Sequence, residues 1–265
     1  MHHHGQHSAE WLILPQVLLS LPFILLFIFY MTAVIKTNQA YKKWPMHRSV
    51  FLCIGAILAV MSVAGPLAEL SHTDFRAHMA GHLLLGMLAP LLIAIAAPMT
   101  LLLRTLPTSQ ARWLTKLLKS RPIGWIINPI TAAILNIGGL WLLYTTSLYS
   151  LMHEIMWLHV LVHMHIFLAG YLFTVSLIYI DPIHHRVSYL NRAIVLVLSL
   201  AWHSILAKYL YAHPPNGVPA DEAETGAMLM YYGGDLVDAA IIFILCWQWY
   251  RATRPRAAFT PGTYA

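Results

Sequence analysis

Charged side chains are scarce in this sequence: Asp, Glu, Lys and Arg make up 10% of its 265 residues, whereas 59% are hydrophobic. A water-soluble domain carries roughly 25% charged residues, so this chain has too few charges to cover a water-facing surface. The hydrophobic residues fall in long blocks, which is typical of membrane-spanning helices. The composition excludes an ordinary soluble protein and predicts an all-α, polytopic membrane protein.

Cysteine and catalytic motifs are also scarce. Cys53 and Cys246 fall in different apolar blocks and form no CxxC pair, so neither a thiolate metal site nor a disulfide framework is predicted. The segment His153–Trp157 begins like the HExxH motif of zinc proteases, but Trp157 stands where the second histidine is needed. No Ser/His/Asp set, phosphate-binding loop or pair of catalytic carboxylates is evident, so we expect no enzymatic turnover.

Seven apolar segments are long enough to cross a membrane. They cover approximately residues 11–35, 50–68, 78–103, 123–148, 154–180, 193–211 and 227–250. The first segment lacks a basic flank and a clear cleavage site, so we interpret it as a retained anchor. Between the third and fourth segments, Trp113 and Leu117 alternate with basic residues, which predicts a short amphipathic helix on the membrane surface.

The Lys- and Arg-rich loops all fall on one side of such a bundle, which the positive-inside rule assigns to the cytoplasm. We therefore predict an outside N-terminus and a cytoplasmic C-terminus in the cell (inner) membrane. Residues 1–265 form one transmembrane domain, with a His-rich outer tail at 1–10 and a basic cytoplasmic tail at 251–265. The tail histidines are either a tag remnant or a native segment that contacts metal. The net charge of +6 is explained by these loops, so no nucleic-acid partner is expected.

Sixteen histidines are many for so apolar a chain, and most fall in the predicted outer half. His78 and His82 are four residues apart, as are His159 and His163, so each pair lies on one helical face. Two imidazoles one turn apart can bind the same metal ion. His203 and Asp235 lie at a similar depth, so that four spans place polar groups roughly 6–15 Å below the outer boundary. Because ionisable residues within spans usually face the bundle interior, we predict one polar site.

Methionine accompanies the second histidine pair. If the segment is one helix, Met152 and Met156 share the face of His159 and His163. Imidazole and thioether ligands favour copper, especially Cu(I). The predicted metal ligands are His78, His82, His159, His163, His203, Met152 and Met156, with Asp235 near the imidazoles. A hydrogen-bonded network without metal is the alternative for the same residues.

Two further functions remain open from the residues alone. Histidine pairs on facing helices also ligate haem b, so a membrane cytochrome is one alternative. A copper transporter is the other, although it would need a polar path to the cytoplasmic side. The inner halves of the predicted spans are apolar, which argues against such a path.

Three motifs resemble the multi-span CtaG family of cytochrome c oxidase assembly factors. They are His78–Leu85 followed by Ala89-Pro90-Leu91; His159–His163 followed by Phe167–Gly170 and Asp181-Pro182; and Gly233-Gly234-Asp235. The resemblance covers nearly the whole chain. It implies a factor that helps mature a haem-copper oxidase by handling copper on the outer side. Terminal oxidase subunits, an outer copper chaperone and membrane lipid are then the expected partners. His78, His82, His159 and His163 match the family's motif histidines.

Overall fold

A computed structural model describes residues 4–255, with side chains from residue 13 onward. Residues 1–3 of the predicted outer tail and residues 256–265 of the predicted basic tail lie outside the described residues. Within residues 4–255 every regular element is a helix, as predicted. In order they are α1 (His4–Ala40), α2 (Met46–Val63), α3 (Pro66–Leu70), α4 (Phe75–Leu83), α5 (Ala89–Ile95), α6 (Pro98–Thr105), α7 (Thr108–Leu118), α8 (Arg121–Ile126), α9 (Pro129–Ala133), α10 (Gly139–Thr145), α11 (Leu148–Glu154), α12 (Met156–Leu177), α13 (Tyr189–Ala212) and α14 (Ala220–Thr253), with π-helices at Leu84–Leu88 and Ile134–Gly138.

Six helical spans are long and apolar enough to cross a membrane. They are α1 from residue 13, α2 continued by α3, α4 continued through a π-helix into α5, α12, α13 and α14. A seventh is present if Pro129–Thr145 and α11, which are bent by 79° at the break between them, count as one broken span. The prediction of an all-α, multi-pass membrane protein is confirmed, and each predicted apolar segment has a helical counterpart.

The predicted surface helix forms as α7, in the basic loop between the third span (α4 to α5) and the broken span. It buries none of its residues. Trp113 is 67% exposed and Leu117 is 43% exposed, so its apolar side chains are not used in the bundle core. Apolar side chains left free beside basic ones are typical of a helix that lies on a membrane.

The spans pack around α12. Helix α14 packs against α13 and α4, α2 packs against α1 and α5, and α12 contacts the first, third and broken spans as well as α13 and α14. Side chains of α12 are therefore in position to meet those of most other spans. The end of the bundle where α4 and α12 begin carries most histidines and is called the His-rich end; the opposite end, with the Lys/Arg loops, is called the basic end.

A close backbone contact joins the third span to α12. The third span contains a π-helix just before Pro90, and proline is a known cause of such irregular turns because it has no N–H to donate. A Cβ on Gly170 would overlap the carbonyl oxygen of Gly86, so only glycine allows this approach. The contact lies about one turn from His82 and two turns from His163, and it sets the spacing between their helices.

At the basic end, the Asp-Pro pair of the sequence pattern has a structural role. The carboxylate of Asp181 accepts hydrogen bonds from the backbone N–H groups of Met99 (3.1 Å) and Thr100 (2.7 Å). It thereby caps the first turn of α6, where the preceding Ala97 takes a left-handed conformation at φ 53°. Asp181 therefore fixes the connection that leaves the third span.

Arg192 is fully enclosed near the start of α13, with 1% of its surface exposed. Its Nη1 donates a hydrogen bond of 2.6 Å to the carbonyl oxygen of Leu177. The guanidinium carbon lies 4.0 Å from the ring centre of Tyr179 and 4.3 Å from that of Tyr189. A buried positive charge, stabilised by two aromatic faces, therefore stands at the basic end between α12 and α13.

Candidate metal centre

Helix α4 carries two of the predicted ligands, and the residue before it fixes where the helix begins. The carboxylate of Asp74 accepts a hydrogen bond of 2.8 Å from the backbone N–H of Arg76, which caps α4. The side-chain hydrogen bond from Arg76 also holds the pKa of Asp74 below its usual value. The rings of His78 and His82 are 4.1 Å apart between centroids, and both are buried. The predicted shared face exists and points into the bundle.

Helix α12 carries the second predicted pair in the same way. The ring centroids of His159 and His163 are 4.1 Å apart. The Nδ1 atom of His163 lies 2.9 Å from the carbonyl oxygen of His159, so this nitrogen is the donor and Nε2 keeps its lone pair. The ring of His163 lies 5.9 Å from that of His82, so the two pairs meet in the bundle interior.

A shared face for Met152 and His163 required the segment to be one helix, and the structure divides it into two. Ile155 is extended, at φ −115° and ψ 108°, and it separates α11 from α12. Met152 therefore belongs to α11, whereas Met156 opens α12. The sharp bend nevertheless folds both methionines against the same space as His159 and His163.

That space, called the His-Met chamber below, has a volume of about 180 Å³ at the His-rich end. The lining side chains with donor atoms of the kind that metals bind are His72, His153, His159, His163, Met152 and Met156. The rest of the wall comes from α1 and from the second span, including Gln16 and Ser62. Four of these six donors are imidazoles and two are thioethers, which is the combination that suits soft ions.

His72 and His153 are functional candidates that sequence reasoning did not select. His72 lies in the connection between α3 and α4, and His153 lies in the last turn of α11, just before the break at Ile155. The ring of His72 stacks on His159 with centroids 5.4 Å apart and lies 5.9 Å from His153. Partial burial, and after it the neighbouring His153, lower the pKa of His72 below its usual 6.5. The imidazole is therefore neutral at pH 7, with a free lone pair.

A second and smaller space lies deeper and is called the mid-bundle cavity. Its volume is about 40 Å³. Its polar wall consists of His82, Asn136, Tyr144, Thr174, Ser199, His203 and Asp238. A Cβ on Gly234 would stand 2.5 Å from Cε1 of His203, so the lack of a side chain at Gly234 leaves the space that this imidazole occupies. The single polar site expected from depth is thus two neighbouring spaces, with His163 facing one and His82 and His203 facing the other.

Two predicted ligands line neither space. Asp235 is partly buried and outside both walls, whereas Asp238, on the next turn of α14, is 3% exposed and faces the mid-bundle cavity. His78 is packed among other rings beside both spaces. Cys53 and Cys246 are also absent from both walls.

Among the described side chains, no group of three or more His, Cys, Asp or Glu residues stands ready-made around a metal position. An ion in the His-Met chamber or in the mid-bundle cavity would therefore draw on thioethers or need side-chain shifts. Three buried ring nitrogens, His78 Nε2, His82 Nε2 and His159 Nδ1, have no hydrogen-bond partner among the described residues. Such atoms are uncommon because leaving them unpaired costs free energy. A soft cation in the His-Met chamber would satisfy His159 Nδ1, and one in the mid-bundle cavity would satisfy His82 Nε2, so these two donors fit such ions.

Comparison with known proteins gives one family. The profile of the cytochrome c oxidase caa3 assembly factor family (Caa3_CtaG) matches residues 28–252, which is most of the chain. An uncharacterized protein of Mycobacterium leprae is 30% identical over 188 residues, which cover 68% of this chain and 28% of the relative. An uncharacterized protein of Mycobacterium tuberculosis is 32% identical over 169 residues, covering 61% of this chain and 26% of the relative. The chain thus matches about a quarter of the length of these relatives. No solved structure matches significantly.

Proposed function

The chain belongs to the cytochrome c oxidase caa3 assembly factor family, and we propose that it binds copper(I) in the His-Met chamber and supplies it to a haem-copper terminal oxidase. Its multi-pass helical bundle agrees with a role beside a membrane oxidase. We place the protein in the cell membrane, with the His-rich end outside. A family of assembly factors acts on another protein during its maturation, so the role proposed here involves no turnover chemistry.

The donor set of the chamber is the observation that carries this proposal. His72, His153, His159 and His163 face the same space as Met152 and Met156. Neutral imidazoles and thioethers are soft or borderline ligands and select copper(I) over magnesium or calcium. Uncharged ligands also suit a cation that must later be released, because no buried carboxylate holds it in place. The chamber is therefore suited to carry copper rather than to use it.

An opening to this chamber is present at the His-rich end. A polar cleft of about 300 Å³ shares Ser71, His72 and His153 with the chamber. Its other walls include Glu154 and Glu222, whose carboxylates raise the local concentration of cations. His72 and His153 thus stand where the cleft and the chamber meet. A copper ion taken from an outer copper chaperone would reach the chamber by exchange onto these two rings.

Replacing His159 and His163 together by alanine tests this function in cells. The variant should accumulate normally in the membrane, since alanine is apolar and a good helix former. The oxidase should assemble in part but contain less copper and show less activity. Copper added to the medium should partly restore the copper content and activity of the oxidase by mass action. The control is His213→Ala, because His213 is exposed and lies outside the chamber. Full copper content and full activity in the double variant would refute the delivery role.

A binding measurement on the purified protein separates copper from haem. Wild-type protein should retain Cu(I) after washing and show no haem absorption band, and the double variant should lose the chamber's copper. A strong Soret band that disappears with the same substitutions would instead establish the membrane cytochrome.

A further inference from the structure

The mid-bundle cavity is not used by the function proposed above, although it gathers polar side chains from five spans. Its volume of about 40 Å³ admits a few waters or one ion, given that a single water needs roughly 10–15 Å³. A porphyrin would not fit. Both π-helices border it, through Gly86 and Met87 in the third span and Asn136 and Ile137 in the broken span. Such irregular turns occur frequently at functional sites.

Two ionisable side chains face this cavity without a partner. His203 is 4% exposed and Asp238 is 3% exposed. Neither side chain makes a hydrogen bond with any described residue. In a membrane span such groups are costly and usually face a cavity where a ligand or another charge meets them. Their position in the wall of a cavity of ionic size points to a cation.

His82 is oriented so that one nitrogen is available to that cation. The hydroxyl of Tyr144 lies 3.6 Å from the sulfur of Met79 and 2.6 Å from Nδ1 of His82, so the ring is held through Nδ1. Nε2 has no partner among the described residues. In the tautomer with the proton on Nδ1, that nitrogen donates to the Tyr144 oxygen and Nε2 presents a lone pair to a cation. A histidine whose other nitrogen donates to a neighbour is the usual form of a metal-bound imidazole.

The remaining donors indicate which cation would fit. Met79, Met87 and Met230 line the cavity beside the imidazoles of His82 and His203, so the set is again soft. One carboxylate, Asp238, balances one positive charge, and a neutral pair is far less costly in an apolar interior than an unpaired ion. These groups match a soft monovalent cation.

A line of imidazoles connects the cavity with the His-Met chamber. His159 lies beside His163, and the ring of His163 is 5.9 Å from that of His82. His163 lines the chamber and His82 lines the cavity, so the pair forms the boundary between them. An ion can pass between the two spaces by exchanging one imidazole for the next.

Toward the basic end, the cavity is closed. A buried apolar cluster that includes Leu177, Leu196 and Leu245 packs below it. The guanidinium of Arg192, enclosed at the ends of α12 and α13, adds a positive charge behind that cluster. An apolar layer followed by a fixed positive charge opposes the passage of a cation.

We propose that the mid-bundle cavity is a second copper(I) site, held by His82, His203 and a thioether with Asp238 as counter-charge, and filled from the His-Met chamber. This inference rests on the copper binding proposed above. The chain would then hold two copper ions in series rather than one. The second ion returns through the chamber because the basic end is closed.

Titration of the purified full chain with Cu(I), under reducing conditions and against a chromogenic chelator, tests this site. Wild-type protein should bind two equivalents, and His203→Asn or Asp238→Asn should each remove one. Asp221→Asn is the matched control: it makes the same change on α14, on an exposed side chain outside the walls of both the cavity and the chamber. This control should retain both equivalents. The His159→Ala, His163→Ala variant should lose the equivalent bound in the chamber.

The number of Cu(I) equivalents bound distinguishes the second site from the proposed function. One equivalent in wild type, unaffected by Asp238→Asn, would overturn the second site and leave the proposed function intact. No binding in wild type would overturn both. Should His203→Asn fail to accumulate, the nearly isosteric Asp238→Asn and the wild-type stoichiometry still give the answer.

Discussion

At the scale of single residues, the hydroxyl of Tyr144 has the most consequential contact. It lies between Nδ1 of His82 and the sulfur of Met79, in a region from which water is largely excluded. One hydroxyl thereby fixes the orientation of a buried imidazole. A residue from the broken span thus determines how a histidine of the third span meets its ligand.

Replacing Tyr144 by phenylalanine should therefore destabilise the protein by about 1–3 kcal/mol, because it leaves a buried nitrogen of His82 unpaired. The measurement is the free energy of unfolding in mixed micelles. Tyr149→Phe is the control, since the Tyr149 hydroxyl makes no hydrogen bond with a described residue while its ring packs in the same cluster. Equal losses in the two variants would contradict the role of the hydroxyl.

Most candidate ligands could be found from the sequence, because histidines four residues apart within an apolar run share a helix face. The division into two cavities could not. Depth along a span follows from counting residues, but the direction in which a side chain points depends on how the spans are rotated. His203 and Asp235 have suitable depths, yet His203 faces a different cavity from His163 and Asp235 faces neither. His72 was missed because its loop position has no periodicity to mark it, and His153 because it lies in the short helix α11, before the break at Ile155.

At the scale of helices, irregularities determine the shape of the site. Pro90 indicates a disturbance in the third span, and a π-helix is found there. The other π-helix contains no proline but ends at Gly138, followed by Gly139. The break at Ile155 has neither proline nor glycine, so the sequence carries no local sign of it. In contrast, hydrophobicity alone predicted where the apolar helices lie, although six of them are continuous spans and the predicted fourth is bent by 79°.

The contact between Gly86 and Gly170 gives a prediction at this scale. A Cβ on Gly170 would overlap the carbonyl oxygen of Gly86, and because that atom is backbone, the third span and α12 must move apart. Gly170→Ala should cost about 1–3 kcal/mol and weaken Cu(I) binding, since His82 and His163 separate with their helices. Both are measured on the purified protein. In Gly138→Ala the new Cβ would meet its nearest neighbour at 3.9 Å, so this control should behave as wild type. An unchanged affinity in Gly170→Ala would show that helix spacing does not govern the site.

At the scale of the whole molecule, charge and chemistry are separated between two ends. The Lys- and Arg-rich loops lie at one end, and the His-Met chamber opens near the other. From the positive-inside rule we expect the chamber to lie on the outer side of the membrane. Copper handling at that surface requires this orientation.

Reporter fusions test the orientation directly. Fusions at Arg112 and Arg254 should report from the cytoplasm, and fusions at Asp74 and Asp221 should report from outside. A cytoplasmic signal at Asp221 would break the seven-span arrangement, because α14 would no longer cross in the expected direction. It would also place the mouth of the chamber on the wrong side for the proposed delivery.

The closed basic end has a kinetic consequence. A binding cavity with a single opening cannot be loaded by a copper donor while a copper acceptor unloads it through a second opening. The copper donor and the oxidase would have to dock at the same opening, one after the other. Copper exchange would then follow a ping-pong order in which the two proteins compete for this docking surface. Surplus acceptor would then slow loading, and surplus donor would slow discharge.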